Sequence, residues 1–371
     1  MSDQQFVILA DESAHWKIAG LTQLERLLLA LNEFAGTTEQ LVVTVFGRPD
    51  LPSTSRRLPN DPRWSRVRLT ESPTQGARSL STHLFVHRKA LANFFATTAP
   101  VEFSEDISWQ QLAGKFEGTC RTAKSWRFVH TPNEIALAED DFLRRTSKPQ
   151  DGFVSRFVNR PLTRPITQLL LKFPIKPTTW TLSIFALPLI AGVFLWRGGY
   201  ASIIIGTAIY QLYSMLDGCD GEIARAKFLE SKRGGRVDDL CDIAGALLFV
   251  IALGVGLSRS HGSLYAAEGI VLAILIAANE WALRIPDAEA PTTLSEAAYP
   301  RHRRLLRNVG RSRFGEKIVW CVLQGTKRDV GILFFLLLAL AGLPQWILHP
   351  WLLVTLTTLV LNALSQLRAL A

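Results

Sequence analysis

Between residues 178 and 216 the chain carries a single charge, Arg197, beside Gly198 and Gly199. Split at that glycine pair, the run gives two apolar stretches of about 20 residues, the length that crosses ~30 Å of hydrocarbon. Four further stretches read the same way: 237–257, 264–283, 330–348 and 351–370. The fourth span carries Glu268 and Glu280, and the sixth is rich in Thr and Asn. The expectation is an all-α transmembrane domain of six helices over residues 177–371.

Residues 1–150 have a different character, mixing short apolar runs with charges and turn residues. A chain of 371 residues has room for two domains at the usual ~150 residues each. With 48% hydrophobic residues it is not disordered. Strands are expected over 5–10, 41–46, 67–70 and 84–87, and helices over 21–34 and 89–96. In the first helix Leu24, Leu27, Leu28 and Leu31 recur at three and four. Strands alternating with helices predict an α/β layer with a parallel sheet. A nucleotide-binding layer of that kind puts a Gly-rich turn after its first strand. Here Asp11 and Glu12 follow Ala10, and the next glycine is Gly20. Two acids at that place would repel phosphate, which favours a non-catalytic domain.

Loop charge predicts the orientation. One set of loops holds Arg197 and Arg259. The other holds Arg225, Lys227, Lys232, Arg233 and Arg236, and then ten basic residues from Arg284 to Arg328. The basic set belongs in the cytoplasm, with both termini. The first residues, Met1-Ser-Asp-Gln-Gln, also lack the basic n-region of a signal peptide. The formal net charge is 41 − 32 = +9. Topology and an anionic inner leaflet account for much of it, so no nucleic-acid partner is needed. Four scattered cysteines form no Cys-x-x-Cys pair, and seven single histidines suggest no metal site.

Residues 151–176 join the halves. Arg156, Arg160 and Arg164 recur every four residues among Phe157, Leu162, Ile166 and Leu169, as in a helix lying in the membrane interface. Pro161 suits a helix start, whereas Pro165 should kink the helix.

The chemistry-bearing pattern follows the second span. It reads Asp217-x2-Asp220-Gly221-x2-Ala224-Arg225-x8-Gly234-x3-Asp238-x3-Asp242. On a helix the first five of these share one stripe, and Asp238 and Asp242 sit one turn apart on the next helix. A short connection makes the two helices antiparallel neighbours, so four carboxylates can converge at one depth. Carboxylates near a membrane are costly without a partner, and one arginine on the stripe cannot neutralise four. Hard, oxygen-ligated Mg²⁺ or Mn²⁺ can. Two such ions would clamp the attacking and leaving oxygens of a phosphoryl-type displacement. Gly221 lets a ligand approach the backbone, Ala224 keeps the groove open, and Arg225 can pair with a phosphate.

This pattern resembles the signature of the CDP-alcohol phosphotransferases (CDP-alcohol phosphatidyltransferases) at every fixed position. The resemblance runs from about residue 154 to the C-terminus. It implies six transmembrane helices, often with an interfacial one before them, and frequently a homodimer. The implied reaction transfers a phosphoalcohol from a CDP-alcohol to a second alcohol and releases CMP. Asp217, Asp220 and Asp238 would hold two divalent ions on the diphosphate, with Asp242 beside them as a further ligand and as the base for the attacking hydroxyl. Gly221 and Ala224 would line the cytidine site, and Arg225 and Gly234 complete the binding set. Members often begin the first span with Pro-Asn-x-x-Thr; here it reads Pro177-Thr-Thr-Trp-Thr181. Residues 20–31 and 46–51 look, more weakly, like sugar-phosphate nucleotidyltransferase stretches. Some members fuse such a domain to the membrane part, as in bifunctional inositol-phosphate cytidylyltransferase/di-myo-inositol phosphate phosphate synthases. The donor expected from these resemblances is CDP-diacylglycerol or CDP-inositol. Arg160, Arg164, the run Arg301 to Arg313 and Lys327-Arg-Asp329 are the places for a phosphorylated acceptor or lipid headgroups. The rival reading is a divalent-cation transporter, which would need polar residues deep within several spans. An intramembrane aspartyl protease would need a Gly-x-Gly-Asp element, which the sequence lacks.

Overall fold

The structure, a computed structural model, describes residues 4–36, 40–48, 62–117, 123, 125–145, 152–284 and 327–370. Two compact units emerge from the packing. One combines residues 1–147 with 164–175 and 222–230; the other combines 148–163, 176–221 and 231–371.

The first unit is built on a parallel sheet, as expected. Its strands are β1 (Gln4–Ala10), β4 (Leu41–Gly47), β5 (Val67–Thr70) and β6 (Arg78–Ser81), in the order β5-β4-β1-β6. Two-residue strands β2 (Lys17–Ile18) and β3 (Leu21–Thr22) form a small hairpin. Central β1 is buried on both faces through Val7, Ile8 and Leu9, which is why it reads as a continuous apolar run. Helix α1 (Gln23–Phe34) buries Leu24, Leu27, Leu28 and Leu31, the predicted face. It starts two residues later than expected, because Leu21 and Thr22 belong to the hairpin. Thr22 then caps it: Thr22 Oγ1 accepts from the Glu25 N–H at 3.3 Å, and Glu25 Oε2 accepts from the Thr22 N–H at 3.1 Å.

The predicted strand 84–87 is real but is not part of the parallel sheet. It is β7 (Leu84–Val86), antiparallel to β8 (Trp126–Phe128). Only Thr82 and His83 separate it from β6, far too few for a parallel crossover. The fourth parallel strand is β6, whose Arg-Ser-Leu-Ser offers one apolar side chain and so gives no strand signal. Helices α2 (Leu91–Thr97), α3 (Trp109–Glu117) and α4 (Ile135–Arg145) complete the N-terminal part.

Where a phosphate loop would follow β1, the chain makes a short helical turn with Asp11 as its cap. Asp11 Oδ1 accepts from the Ser13 N–H at 2.8 Å, and Oδ2 lies 2.8 Å from His83 Nε2. His83 Nδ1 lies 2.7 Å from the Val129 carbonyl oxygen. Both ring nitrogens therefore face acceptors, and His83 ties the end of β1 to the β7–β8 pair. Burial alone would raise the Asp11 carboxyl, but hydrogen bonds from His83 and Ser13 outweigh it and bring it down to about 2. The folded value lies below the ordinary 3.8, so the stabilisation is complete above pH 3.8 and is lost as pH falls towards 2. Asp11→Asn is expected to cost about 1–2 kcal/mol near neutral pH, after allowance for solvent screening. Urea unfolding read by tryptophan fluorescence should show this gap at pH 7 and its reduction to roughly a third at pH 2.5. Equal stabilities at both pH values would refute the assignment.

Residues 153–154 are helical and continue through a wider π-type turn at Ser155–Asn159 into α5 (Arg160–Leu171), which starts in the second unit and from Arg164 belongs to the first. The helix continues past Pro165, which has no N–H to give to its ladder, and the wider turn lies before Pro161. Phe157, Leu162, Leu169 and Phe173 are exposed along this segment. Then come α6 (Pro177–Ile184), α7 (Ala186–Arg197), α8 (Tyr200–Ala226), α9 (Lys232–His261), α10 (Leu264–Arg284), α11 (Arg328–Leu340) and α12 (Leu348–Leu370). Tyr210, Phe249, Phe335 and Trp351 stack through their core, with Tyr210 and Phe249 ring centroids 4.5 Å apart.

Helices stand at all six expected places, but among the described residues three are long and apolar enough to cross a membrane. These are Pro177–Arg197, Lys232–His261 and Leu264–Ala282. Helix α8 has the length, but Gln211, its tyrosines and the aspartates dilute its apolar character. The predicted span 330–348 is interrupted: α11 ends at Leu340, the chain turns at Gly342, and Pro344–Trp346 form a separate short turn. The Arg301 to Arg313 run lies outside the described residues.

Candidate active site

Antiparallel helices α8 and α9 supply the carboxylates. Asp217 and Asp220 are one turn apart on α8, and Asp238 faces them from the second turn of α9. One oxygen from each of the three lies within 4.8 Å of the other two. Asp220 is buried, and Asp217 and Asp238 are half-buried. Three like charges this close repel one another, and a cation among them relieves the repulsion. Asp238 Oδ1 is also buried without a hydrogen-bond partner among the described residues. An orphaned carboxylate oxygen inside an all-oxygen cluster fits a hard divalent ion.

The cluster is held from several sides. Thr181 Oγ1, on α6, donates to Asp220 Oδ2 at 2.6 Å. The Gly221 N–H donates to Asp220 Oδ1. Trp180 Nε1 donates to the Leu216 carbonyl at 3.0 Å, tying α6 to α8 just before Asp217. Arg160 Nη1 donates to the Gly218 carbonyl at 2.7 Å. A Cβ on Gly218 would lie 2.8 Å from that nitrogen, so a side chain there would push the guanidinium aside. Of the Pro-x-x-x-Thr start of the first span, Thr181 thus reaches the cluster directly. Thr178 stands instead against the start of α9, its methyl 3.5 Å from where a Gly234 Cβ would be.

Asp242, one turn beyond Asp238, stands apart from the three. Its Oδ1 accepts from the Tyr213 hydroxyl at 3.0 Å, and its Oδ2 is paired with Arg328. Arg328 is the first residue of α11, and its guanidinium also lies over the Tyr213 ring at 5.6 Å. A cavity of about 410 Å³ opens beside Asp242. Asp239, Glu280, Lys327 and Arg328 contribute charge to its wall, and Ile276, Phe335 and Trp351 contribute apolar surface.

The remaining pattern residues fall elsewhere. Gly234 is in the first turn of α9, where its N–H donates to the capping Ser231 Oγ at 3.0 Å; a Cβ there would press on that hydroxyl. Ala224 and Arg225 continue α8 beyond Gly221, within the stretch 222–230 that belongs to the first unit. Reading the sequence alone missed Tyr213. Its signal was present, since Tyr213 precedes Asp217 by four and extends the same helical stripe. Arg328 was singled out for its charge and not for its partner, because 86 residues separate it from Asp242 in the chain.

Residues 177–358 match the family described as CDP-alcohol phosphatidyltransferase. Among curated proteins, the chain is similar to a "Bifunctional IPC transferase and DIPP synthase" of Rubrobacter xylanophilus, at 32% identity over 186 residues. That alignment covers 48% of this chain and 42% of the relative. A protein of the same description from Thermococcus kodakarensis is 37% identical over 130 residues, covering 34% of this chain and 29% of the relative. Another from Aquifex aeolicus is 32% identical over 158 residues, covering 42% and 36%. The matched stretches thus span less than half the length of each of these relatives.

Proposed function

Proceeding from a CDP-alcohol phosphatidyltransferase domain over residues 177–358, we propose that this chain transfers a phosphoalcohol group from a CDP-alcohol to an acceptor alcohol, releasing CMP. The observation that carries the reading is the convergence of Asp217, Asp220 and Asp238 within 4.8 Å on the helices where the family's pattern falls.

Asp217, Asp220 and Asp238 would hold divalent cations, two Mg²⁺ or Mn²⁺ ions by analogy with the family. Such ions supply charge neutralisation for the diphosphate and for the oxygens entering and leaving the phosphorus. Thr181 fixes the Asp220 carboxylate for that duty through its 2.6 Å hydrogen bond. Asp242 accepts the proton of the acceptor hydroxyl as that oxygen forms its bond to the β-phosphorus. The bond from the β-phosphorus to the bridging oxygen breaks, and CMP carries that oxygen away. Tyr213 and Arg328 aim the Asp242 carboxylate. Gly221, Ala224 and Arg225 line the donor's path along α8, with Gly234 shaping the facing turn of α9.

The cavity beside Asp242 receives the acceptor. Lys327 and Arg328, set in its wall among Asp239, Asp242 and Glu280, offer cations to a phosphorylated alcohol such as an inositol phosphate. The donor is then CDP-inositol or CDP-diacylglycerol. Residues 177–371 form the six-helix membrane domain, residues 151–176 an interfacial segment, and residues 1–150 a cytosolic α/β domain related to nucleotidyltransferases but without their catalytic loop. The basic loops put both termini and the active site on the cytoplasmic side, in a homodimer.

The test is CMP release by the purified chain in detergent with Mg²⁺ or Mn²⁺. CDP-inositol and CDP-diacylglycerol are each crossed with inositol phosphate, inositol and glycerol phosphate. Release from one pair that EDTA abolishes is the expected result. A folded protein that binds Mn²⁺ yet releases CMP from none of them would overturn the proposed substrates, and one that binds no metal would overturn the site.

A further inference from the structure

The first unit includes residues 222–230, the end of the helix that carries Asp217 and Asp220. Within that unit the helix end is held in a socket. Arg26, on α1, is fully buried. Its Nη2 donates to the Ala226 carbonyl, on the last residue of α8, at 3.1 Å and to the Ile18 carbonyl at 2.8 Å. Its guanidinium lies over Phe85 at 4.7 Å and over Phe228 at 5.7 Å. Nε and Nη1 have no hydrogen-bond partner among the described residues. A buried cation with two idle donors is a costly way to hold a helix end, and that cost demands a return.

Other contacts close the same socket. Phe228 sits at φ +57, a left-handed conformation that a bulky side chain rarely takes. The Leu229 N–H reaches back to the Ala224 carbonyl at 2.8 Å, so the helix stops abruptly there. Lys227 is buried, and its ammonium donates to the Phe173 carbonyl. Gly20, at φ +81, makes room for it: a Cβ there would lie 2.6 Å from Lys227 Cε. Arg88 pairs with Glu230 just beyond the helix and with Glu33 of α1.

We propose that this socket sets the rotation and height of α8, with Arg26 as a positioning residue for the metal-binding aspartates. The inference rests on the metal-site reading of Asp217, Asp220 and Asp238. Ala226 lies six residues beyond Asp220, about 9 Å along a continuous helix. A turn of the helix at its end is therefore delivered to the carboxylates. On this view the N-terminal domain, lacking a phosphate loop, contributes alignment instead of chemistry.

The experiment uses the full chain in detergent and two readouts other than turnover. One is Mn²⁺ affinity by the EPR signal of free Mn²⁺; the other is deuterium uptake in peptides covering 214–226. Arg26→Lys, which keeps the charge but loses the planar fork, should weaken Mn²⁺ binding about tenfold and speed exchange in those peptides. Glu230→Arg, which sets two cations against each other at a partly exposed place, should give about a threefold effect in the same direction. Arg88→Glu/Glu230→Arg should recover both readouts in part, since the reversed pair reforms while Glu33 loses its cation. Folded variants with unchanged Mn²⁺ affinity and unchanged exchange would overturn the proposal, as would a double variant that recovers neither. If the wild type binds no Mn²⁺, the metal reading fails by itself. Exchange in 214–226 then decides the socket alone, a rise in both single variants supporting it and no rise refuting it.

Discussion

Asp238→Asn is expected to abolish both Mn²⁺ binding and CMP release. Asp238 is the one carboxylate that α9 adds to the pair on α8, and its Oδ1 is buried with no hydrogen-bond partner among the described residues. An asparagine keeps the shape but removes the charge, and its amide turns a donor toward the cluster in one of its two orientations. A bound divalent ion supplies several kcal/mol of charge stabilisation, so its loss should lower kcat by about 10³-fold or more. Isothermal titration with Mn²⁺ and a CMP-release assay on the same preparation check the two halves. Thr181→Val should move in the same direction by far less, since it loosens Asp220 without removing a ligand. A variant at Asp238 that retains wild-type metal affinity would remove that residue from the site.

The second large effect is expected at Asp242, with a different signature. Asp242→Asn should lower kcat by about 10²–10⁴-fold, the worth of a positioned base, while changing Mn²⁺ affinity only a few-fold. The separation follows from geometry: Asp242 lies outside the three-oxygen cluster and is bonded to Tyr213 and Arg328. Arg328→Gln and Tyr213→Phe should then lower kcat more than they raise the donor KM, because they act through Asp242. Loss of metal binding in Asp242→Asn would make that residue a ligand first and a base second.

The aspartate pattern was legible because it is local. Asp217, Asp220, Asp238 and Asp242 fall within 26 residues, and helical spacing across a short connection brings the first three together, with Asp242 one turn away on its own partners. Thr181 was legible as part of a motif, though its partner Asp220 was not. What escaped notice depends on long-range pairing. Tyr213 looks like a membrane aromatic until its hydroxyl is seen on Asp242. In the N-terminal part, β6 hid because its register on β1 and not its own apolarity makes it a strand: Phe6 to Leu9 of β1 align with Arg78 to Ser81. Strand β7 was legible by burial, whereas its antiparallel partner, Trp126–Phe128, lay 40 residues on. The run 330–348 is apolar enough to read as one span, yet Gly342 and Pro344 override composition and divide it.

The socket has a consequence for how the chain is made. Arg26 and the carbonyl it holds on Ala226 are 200 residues apart, and the first unit is assembled from three separate pieces of chain. A ribosome adding 5–20 residues per second needs about 10–40 s to travel that distance. Throughout that interval the N-terminal sheet can form, but the guanidinium at its edge waits without its distant acceptor. The unit is completed only after the apolar helices that precede residue 222 have been synthesised. Synthesis of the chain through residue 230 is thus a prerequisite for finishing the unit that begins at its N-terminus, and a chain stalled before residue 226 would leave Arg26 without the carbonyl it holds there.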